Sequence, residues 1–442
     1  MQSKIKTLLL ALIVICSALI LNSGCSTKRT LLFLNWGEYI NDDMVAAFEE
    51  LYNCDVIVDI ADSNELFYAK LKSGTTAYDL CCPAEYMVEK MYLNNLIQEI
   101  DTSKLPNYDP QAFMDGVVQI ETSMNETMKE ICSELGRSYD YEGNEINKYH
   151  MPYFWGTFGL MYNKTEEYFK DENTYSHGEL ISNTPDGDPD VLQRNDAWKV
   201  YFFDESVPAV DQLPLSFKVG AYGDSVRFNY GAAMTYYAGD PNVKVSDYQD
   251  AYASIMGRRK YAEWGGDSLK HGIQAHNLDI AFAYTGDCLD MIYQEVQDGL
   301  EFEEVEFNTY TPELTMAHID TLVIPHNSRH VDLALEFINF LLEPENAWLN
   351  NRDIGYCPPL KAVYNMIVNE EGPTNPESVA YFELTDEEIH WRRNWAKIIK
   401  QTFPIDEQGK SLKEGIPFSY FDSSDIKIIN NIVNNIKANT NR

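Results

Sequence analysis

From residue 30 onward, short apolar runs alternate with stretches in which apolar residues recur every three or four positions. "TLLFLNW" (Thr30 to Trp36) reads as a strand. "NDDMVAAFEELYN" follows as a helix: Asn41 suits the N-cap, Asp42 and Asp43 fill the first turn, and Met44, Phe48 and Leu51 fall on one face. "CDVIVDI" alternates and reads as a second strand. "SNELFYAKLKSG" is a helix with Ser63 as its cap and Gly74 as its stop. "AYDLCC" is another apolar strand, and "PAEYMVEKMYLNNLIQEID" a helix that starts at Pro83. Alternating strand and helix predict a largely parallel sheet with helices on both faces.

The pattern weakens from Thr102 to Tyr149, where polar residues and loop signals predict an excursion. "MPYFWGTFGLMYNK" (Met151 to Lys164) is extended and aromatic. Thr165 to Asn195 is rich in Asp, Asn, Gly and Pro and reads as a long surface loop. Helical pattern returns near Val226 to Ala238 and Ser246 to Trp264. "LDIAFAYTGD" is a strand ending in a turn, and "MAHIDTLVIP" is another strand. "VDLALEFINFLLEPENAW" is an amphipathic helix pair broken at Pro344, and Asp386 to Lys437 is mostly helical. There is no internal repeat and no low-complexity tract.

Length and charge narrow the picture. A chain of 442 residues has room for two domains. Its 34 Lys and Arg face 69 Asp and Glu, a net charge of −35. That balance argues against nucleic acid, which needs clustered cations, and against adsorption to anionic lipid. It suits the attraction of cations and, equally, plain solubility.

The N-terminus gives an address. Lys4 and Lys6 precede an apolar run from Thr7 to Leu21, and "NSGCS" follows. Residues 1–24 read as a signal peptide rather than a spanning helix, and no other stretch is apolar enough to cross a bilayer. Ser23 and Gly24 before Cys25 resemble the lipobox of bacterial lipoproteins, although Asn22 stands where Leu is usual. Cys25 is therefore the candidate lipidation site and 25–29 the tether. This places the protein in the periplasm or at the cell surface as a membrane-anchored lipoprotein, touching the membrane only through that lipid. Cleavage near this point without lipid would give a soluble secreted protein. Loss of Lys4 and Lys6 takes the net charge from −35 to −37.

Cys54, Cys81, Cys82, Cys132, Cys288 and Cys357 show neither C-x-x-C nor His/Cys metal spacing. The adjacent Cys81 and Cys82 point to opposite faces of a strand and read as small buried hydrophobes. "DGDPD" lacks the spacing and closing Glu of a calcium loop. G-x-S-x-G, H-E-x-x-H, the P-loop and G-x-G-x-x-G are missing, so the sequence offers no catalytic set, metal or cofactor.

Three carboxylates sit beside aromatic residues. Glu38 lies between Trp36 and Tyr39. Asp287 follows Tyr284 and Gly286. Asp320 follows His318 at the start of an apolar strand. Glu38 and Asp287 fall at strand C-ends, where ligands of open α/β sheets sit. A carboxylate bonds an ammonium group strongly, and ring faces attract the cation by about 0.5–2 kcal/mol each. Singly, each acid reads first as a cap or a solvated turn, and the recurrence of the pattern adds only modestly to the ligand reading.

The ordered stretches "FLNWGEYI", "DSNELFYAKLKSGTTAYDLCCPAEYMVEKM", "MPYFWGTFGLMYN", "LDIAFAYTGD", "HIDTLVIPHN", "LALEFINFLLEPENA" and "DIGYCPP" resemble the periplasmic spermidine/putrescine-binding proteins of bacterial ABC importers. The resemblance implies a type II, two-lobed α/β periplasmic-binding-protein fold of the Venus-flytrap kind. Crossing hinge segments would fall near Trp155, Thr315 and Asn351. Lobe 1 would comprise 30–155 with 316–351, and lobe 2 would comprise 156–315 with 352–442. It further implies a monomer that captures a polyamine, putrescine or spermidine, and delivers it to the permease subunits of an ABC transporter.

Residue by residue, Trp36, Glu38 and Tyr39 match the family's first binding segment, and Tyr86 an aromatic wall. Tyr284 matches the ring that covers the methylene chain. Asp287 matches a carboxylate of putrescine-preferring members, Asp320 the acid that grips an amine, and Tyr356 a further wall. Departures are also visible. In "DSVRF", Ser225 and Phe228 stand at places that supply acids, with Asp224 one place off. His318 replaces a usual Trp, and Arg392 a common neutral Gln. These changes favour a diamine such as putrescine, or a broad polyamine range, over strict spermidine. Two alternatives stay open: another small cation or an amino-acid-like solute clamped by Arg392, and a surface lipoprotein that binds a protein through the long loops 121–148 and 165–199.

Overall fold

The structure, a computed structural model, describes residues 28–139, 146, 148–166, 168, 196–207, 209, 212–223, 225–266, 268–297, 299–301, 304–312, 314–351, 354, 356–368, 414–419 and 421–440. Residues 1–27 with Cys25, the "DGDPD" stretch and most of the loop around it, Asp224, and Arg392 lie outside them. Strand β1 (Arg29–Asn35), helix α1 (Asp42–Tyr52), strand β2 (Cys54–Ile60), helix α2 (Asn64–Ser73), strand β3 (Leu80–Cys81) and helix α3 (Glu85–Leu93) come first. Strand β4 (Ile97–Gln98), helix α4 (Asp115–Glu134), strand β5 (Met151–Asn163), helix α5 (Asp196–Tyr201) and strand β6 (Val219–Tyr222) follow. Then come α6 (Val226–Ala238), α7 (Val245–Met256), β7 (Glu263–Gly265), α8 (Ser268–Gln274), β8 (Ile280–Tyr284), α9 (Thr285–Gln297) and β9 (Phe307–Tyr310). The described chain closes with β10 (Leu314–Leu322), β11 (Ile324–Pro325), α10 (Val331–Leu341), α11 (Pro344–Asn351), α12 (Lys361–Val368), β12 (Glu414–Pro417) and α13 (Ser423–Thr440).

Local chemistry sets the early boundaries. The Asn41 side chain accepts from the Met44 N–H at 2.9 Å and starts α1, which ends at Asn53 in left-handed backbone (φ 47°). Ser63 caps α2 on the Leu66 N–H, and Gly74 (φ 63°) closes it. Met44 and Phe48 are buried as their spacing predicts. Leu51 is not: it is 56% exposed.

Among the described residues three sheets form. β1 pairs in parallel with β2 on one side and β3 on the other. A larger mixed sheet has the order β12-β10-β5-β8-β6-β7, with β9 also on β5. β4 and β11 form a short pair. The long strand β5, buried throughout, lies inside the mixed sheet. Its first half runs antiparallel to β10, from Met151 opposite Leu322 to Thr157 opposite Ala317. Its second half pairs with β8 and β9. At the other end of β10, bridges Ala84 to Asp320 and Cys81 to Val323 reach the small parallel sheet. The chain near Cys357 lies alongside, exchanging backbone hydrogen bonds with Trp155. Thr315 sits on β10, whose far end reaches the small sheet, and Trp155 sits on the neighbouring strand β5.

Several expectations are corrected. The stretch from Thr102 to Tyr149 contains the 20-residue helix α4. Its inward face carries Glu121 and Asn125 beside Val117, Ile120, Met124 and Met128, so the apolar period is broken where polar groups find buried partners. His150 Nε2 lies 2.7 Å from Glu121 Oε1, and Tyr139 Oη donates to Asn125 at 2.8 Å. The helix expected to reach Trp264 ends at Met256. Glu263–Gly265 is strand β7, paired with β6. Helix α3 starts at Glu85 rather than Pro83, and its expected tail forms β4. β8 runs into α9 without a turn, which moves Asp287 into a helix's first turn. Asp320 lies near the end of β10, at a bulge before Thr321, rather than at a strand start. Cys54, Cys81, Cys82, Cys132, Cys288 and Cys357 are all buried free thiols.

Candidate ligand-binding site

The turn after β1 sorts its polar residues by direction. Asn35 Nδ2 donates to the Tyr39 carbonyl at 3.1 Å and closes the loop. Glu38 takes left-handed backbone there (φ 52°) and is exposed. Tyr39 turns inward, and Tyr153 Oη donates to its carbonyl at 2.9 Å. The buried Tyr39 hydroxyl then donates to Asp320 Oδ2 at 2.7 Å. Trp36 stays partly buried, its ring edge-on to Phe67 at 4.6 Å.

Asp320 is 8% exposed. Burial raises its carboxyl to about 7; the Tyr39 hydrogen bond opposes that shift and the Asp287 charge adds to it. Two residues back on the same strand, the buried His318 has Nε2 3.9 Å from Asp320 Oδ2, and neither ring nitrogen has a hydrogen-bond partner. Burial holds this imidazole down at about 3, so it is neutral at ordinary pH. Its ring meets Tyr284 at 4.8 Å, Tyr356 at 5.7 Å and Phe158 at 5.7 Å.

The second acid is Asp287. Tyr356 Oη donates to Asp287 Oδ1 at 2.9 Å, and Lys270 Nζ of α8 lies 3.7 Å from the same oxygen. The Tyr356 ring lies against Gly286, where any Cβ would come within 2.5 Å of it, so only glycine fits. Tyr39 and Tyr356 meet edge to face at 5.1 Å, which joins the two acids into one cluster. Asp290, one helical turn beyond Asp287, is raised by burial. Lys270 opposes that shift, and the exposed Glu38 adds to it. Glu38 thus acts at the rim rather than in the cluster.

Tyr86 is placed differently from the expectation. Its ring face is already covered by the guanidinium of Arg227, 3.8 Å from the ring centre. Beside it, Glu85 is fully buried; Oε2 accepts from the Ile319 N–H at 3.1 Å and Oε1 has no partner. Burial raises Glu85 to about 8, opposed by that backbone bond and by the Arg227 charge. Ser225 is the half-buried N-cap residue of α6 and makes no side-chain cap bond. Phe228 is a buried wall, 4.9 Å from Phe158 and 5.5 Å from Tyr284.

The structure therefore brings together Tyr39, Asp320, His318, Tyr284, Tyr356 and Asp287, leaves Glu38 exposed beside Tyr39, Trp36 on Phe67 and Ser225 at the start of α6, and gives Tyr86 to Arg227. Sequence reasoning missed Arg227, Glu85 and Lys270. Glu85 and Arg227 stood inside the quoted stretches, next to Tyr86 and Phe228, and that adjacency was the sole signal the sequence offered, since their burial depends on distant segments. Lys270 carried none. The arrangement presents two buried carboxylates, each bonded by a tyrosine hydroxyl, between aromatic walls. Carboxylates and ring faces of this kind are chemically suited to a small cationic group. Among the described residues no group of three or more His, Cys, Asp or Glu is arranged to hold a metal ion.

Residues 35–348 match the pattern of the bacterial extracellular solute-binding protein family, and the chain belongs to that family, one of binding proteins and not of enzymes. It is similar to the putrescine-binding periplasmic protein PotF of Escherichia coli, 25% identical over 357 residues, 79% of this chain and 82% of that one. It is 26% identical over 349 residues to the spermidine/putrescine-binding periplasmic protein of Salmonella typhimurium, 78% of this chain and 82% of that one. Among solved structures, PotD of Streptococcus pneumoniae superposes with a TM-score of 0.62 at 21% identity, covering 93% of this chain and 100% of that one. The Tp0655 lipoprotein of Treponema pallidum gives 0.59 at 19%, covering 92% and 99%. These likenesses establish the α/β periplasmic-binding-protein fold.

Proposed function

We propose that this member of the extracellular solute-binding family captures a short polyamine, putrescine foremost, and presents it to the permease of an ABC importer. The observation that carries the reading is the paired arrangement of Asp320 under Tyr39 and Asp287 under Tyr356, walled by His318 and Tyr284. Two acids on one aromatic-lined cleft suit two ammonium groups joined by an aliphatic stem. The relatives named for putrescine and spermidine support the same solute class.

Capture is read as closure of two lobes, 30–155 with 316–351 and 156–315 with 352–442, over the solute. The change of β5 partners from β10 to β8 and β9 is consistent with a boundary near residue 156. Ligand bonds to both lobes stabilise the closed form, which the permease would recognise. A lipid on Cys25 would hold the protein at the outer face of the membrane.

Calorimetric titration of the chain from Ser26, refolded from denaturant to strip bound solute, with putrescine, spermidine and spermine tests this. Micromolar or tighter binding of an amine supports it. No heat with any amine rejects the solute class and leaves the fold.

One observation favours a second reading. Lys270 already sits beside Asp287, so the cleft calls for one ammonium more strongly than for two. An amino-acid-like solute would then place its ammonium on Asp320. Binding of an ω-amino acid in preference to putrescine would select this reading.

A further inference from the structure

Arg227 lies in the first turn of α6 and is 2% exposed. Its guanidinium carbon is 3.8 Å from the centre of the Tyr86 ring and 4.9 Å from the centres of both Phe418 and Phe421. It donates to the Ser419 carbonyl, and its buried Nε has no partner. Among the described residues no carboxylate lies within ion-pair distance of it. A buried cation without a paired acid is costly unless ring faces and dipoles replace its water. Three rings surround this one. The cage is continuous with the acid–aromatic cluster: Phe418 packs on Phe158 at 5.6 Å, and Phe158 packs on Tyr284 at 4.2 Å and His318 at 5.7 Å.

We propose that Arg227 is a tethered cation that occupies the far aromatic cage of the cleft, so that the site takes a short amine and turns away a longer one. The inference rests on the amine reading above and concerns the length of the solute. A ligand whose first ammonium sits on Asp320 and whose stem follows Tyr284 and Phe158 would bring a distant ammonium toward Tyr86. That place is filled by a guanidinium, which excludes the second cation by volume and by like charge. Glu85 stands next to the cage with one buried oxygen unpartnered. With the guanidinium gone, Tyr86, Phe418, Phe421 and Glu85 together form a second ammonium site.

The test is a titration of putrescine and spermidine against the wild type, Arg227→Ala, Arg227→Lys and the double variant Glu85→Gln/Arg227→Ala. The ratio of spermidine to putrescine affinity is expected to rise about tenfold in Arg227→Ala. It should stay near the wild-type value in Arg227→Lys, which keeps a cation in the cage. The double variant should lose the gain. Folding is checked by melting, and guanidinium ion at low millimolar concentration should raise the Arg227→Ala midpoint by refilling the cage. Should Arg227→Ala fail to fold, Arg227→Gln carries the same ratio test. An unchanged or lower ratio in a folded neutral variant that still binds putrescine overturns the plug alone. A wild type that binds neither amine overturns the amine reading, and the plug falls with it.

Discussion

Tyr39 and Asp320 stand 281 residues apart in the chain, yet the phenol donates to the carboxylate at 2.7 Å in a buried setting. The bond opposes a burial effect that otherwise raises the acid, whose carboxyl sits at about 7. The tyrosine therefore keeps Asp320 within reach of ionisation near neutral pH, where a solute ammonium can complete it. Replacing Asp320 with Asn removes the charge and keeps the shape. Diamine affinity should fall at least tenfold, about 1.4 kcal/mol. Titration of Asp320→Asn with putrescine checks this, and an unchanged affinity removes Asp320 from the site.

An ammonium bound beside Asp320 favours its carboxylate, so binding near pH 7 should release protons. The released fraction, read from binding heats in buffers of different ionisation enthalpy, should shrink toward zero by about pH 8.5 as Asp320 ionises unaided. Asp320→Asn should lose its share of this release at every pH. A wild type that releases none near neutrality places the ammonium elsewhere.

Lys270 and Tyr356 share Asp287 Oδ1, at 3.7 Å and 2.9 Å. Removing the lysine charge leaves the carboxylate to a second ligand ammonium. Lys270→Met should raise putrescine affinity severalfold while leaving a monoamine such as butylamine little changed. Equal gains for both solutes would mean a general change in field, since only the diamine can engage both acids.

The parts of the fold that rest on neighbouring residues were legible in the sequence. Asn41 and Ser63 start their helices as their side chains dictate, and Pro344 separates α10 from α11. The acids beside aromatics were legible too, because Tyr284 and Asp287 share one segment. What stayed hidden depends on contacts between distant segments. Helix α4 was masked by Glu121 and Asn125, which read as solvent-facing until His150 and Tyr139 supply their partners. Arg227 reads as a surface residue until Tyr86, Phe418 and Phe421 close around it. Glu38, which lies between Trp36 and Tyr39 in sequence, sits exposed on left-handed backbone beside the buried Tyr39.

The ligand-free protein should lose stability as pH rises from about 6.5 to about 8. Asp320 and Glu85 have folded values raised from 3.8 to about 7 and from 4.5 to about 8. An acid raised on folding gives stability that is full below its unfolded value and is lost as pH climbs through the folded one. His318 works in the opposite sense: lowered from 6.5 to about 3, it gives stability that is full above about 6.5 and is lost as pH falls. Between about 4 and 6.5 the two effects oppose each other, and above 6.5 only the acids titrate. His318→Phe removes the counterweight while keeping a ring against Tyr284 and Phe158. Its stability should therefore fall continuously from about pH 4 to 8, where the wild type is flatter on the acid side. Denaturant midpoints of both proteins across this range decide the matter. A wild type and His318→Phe with parallel profiles would mean that the imidazole exchanges protons with water as an ordinary surface histidine does.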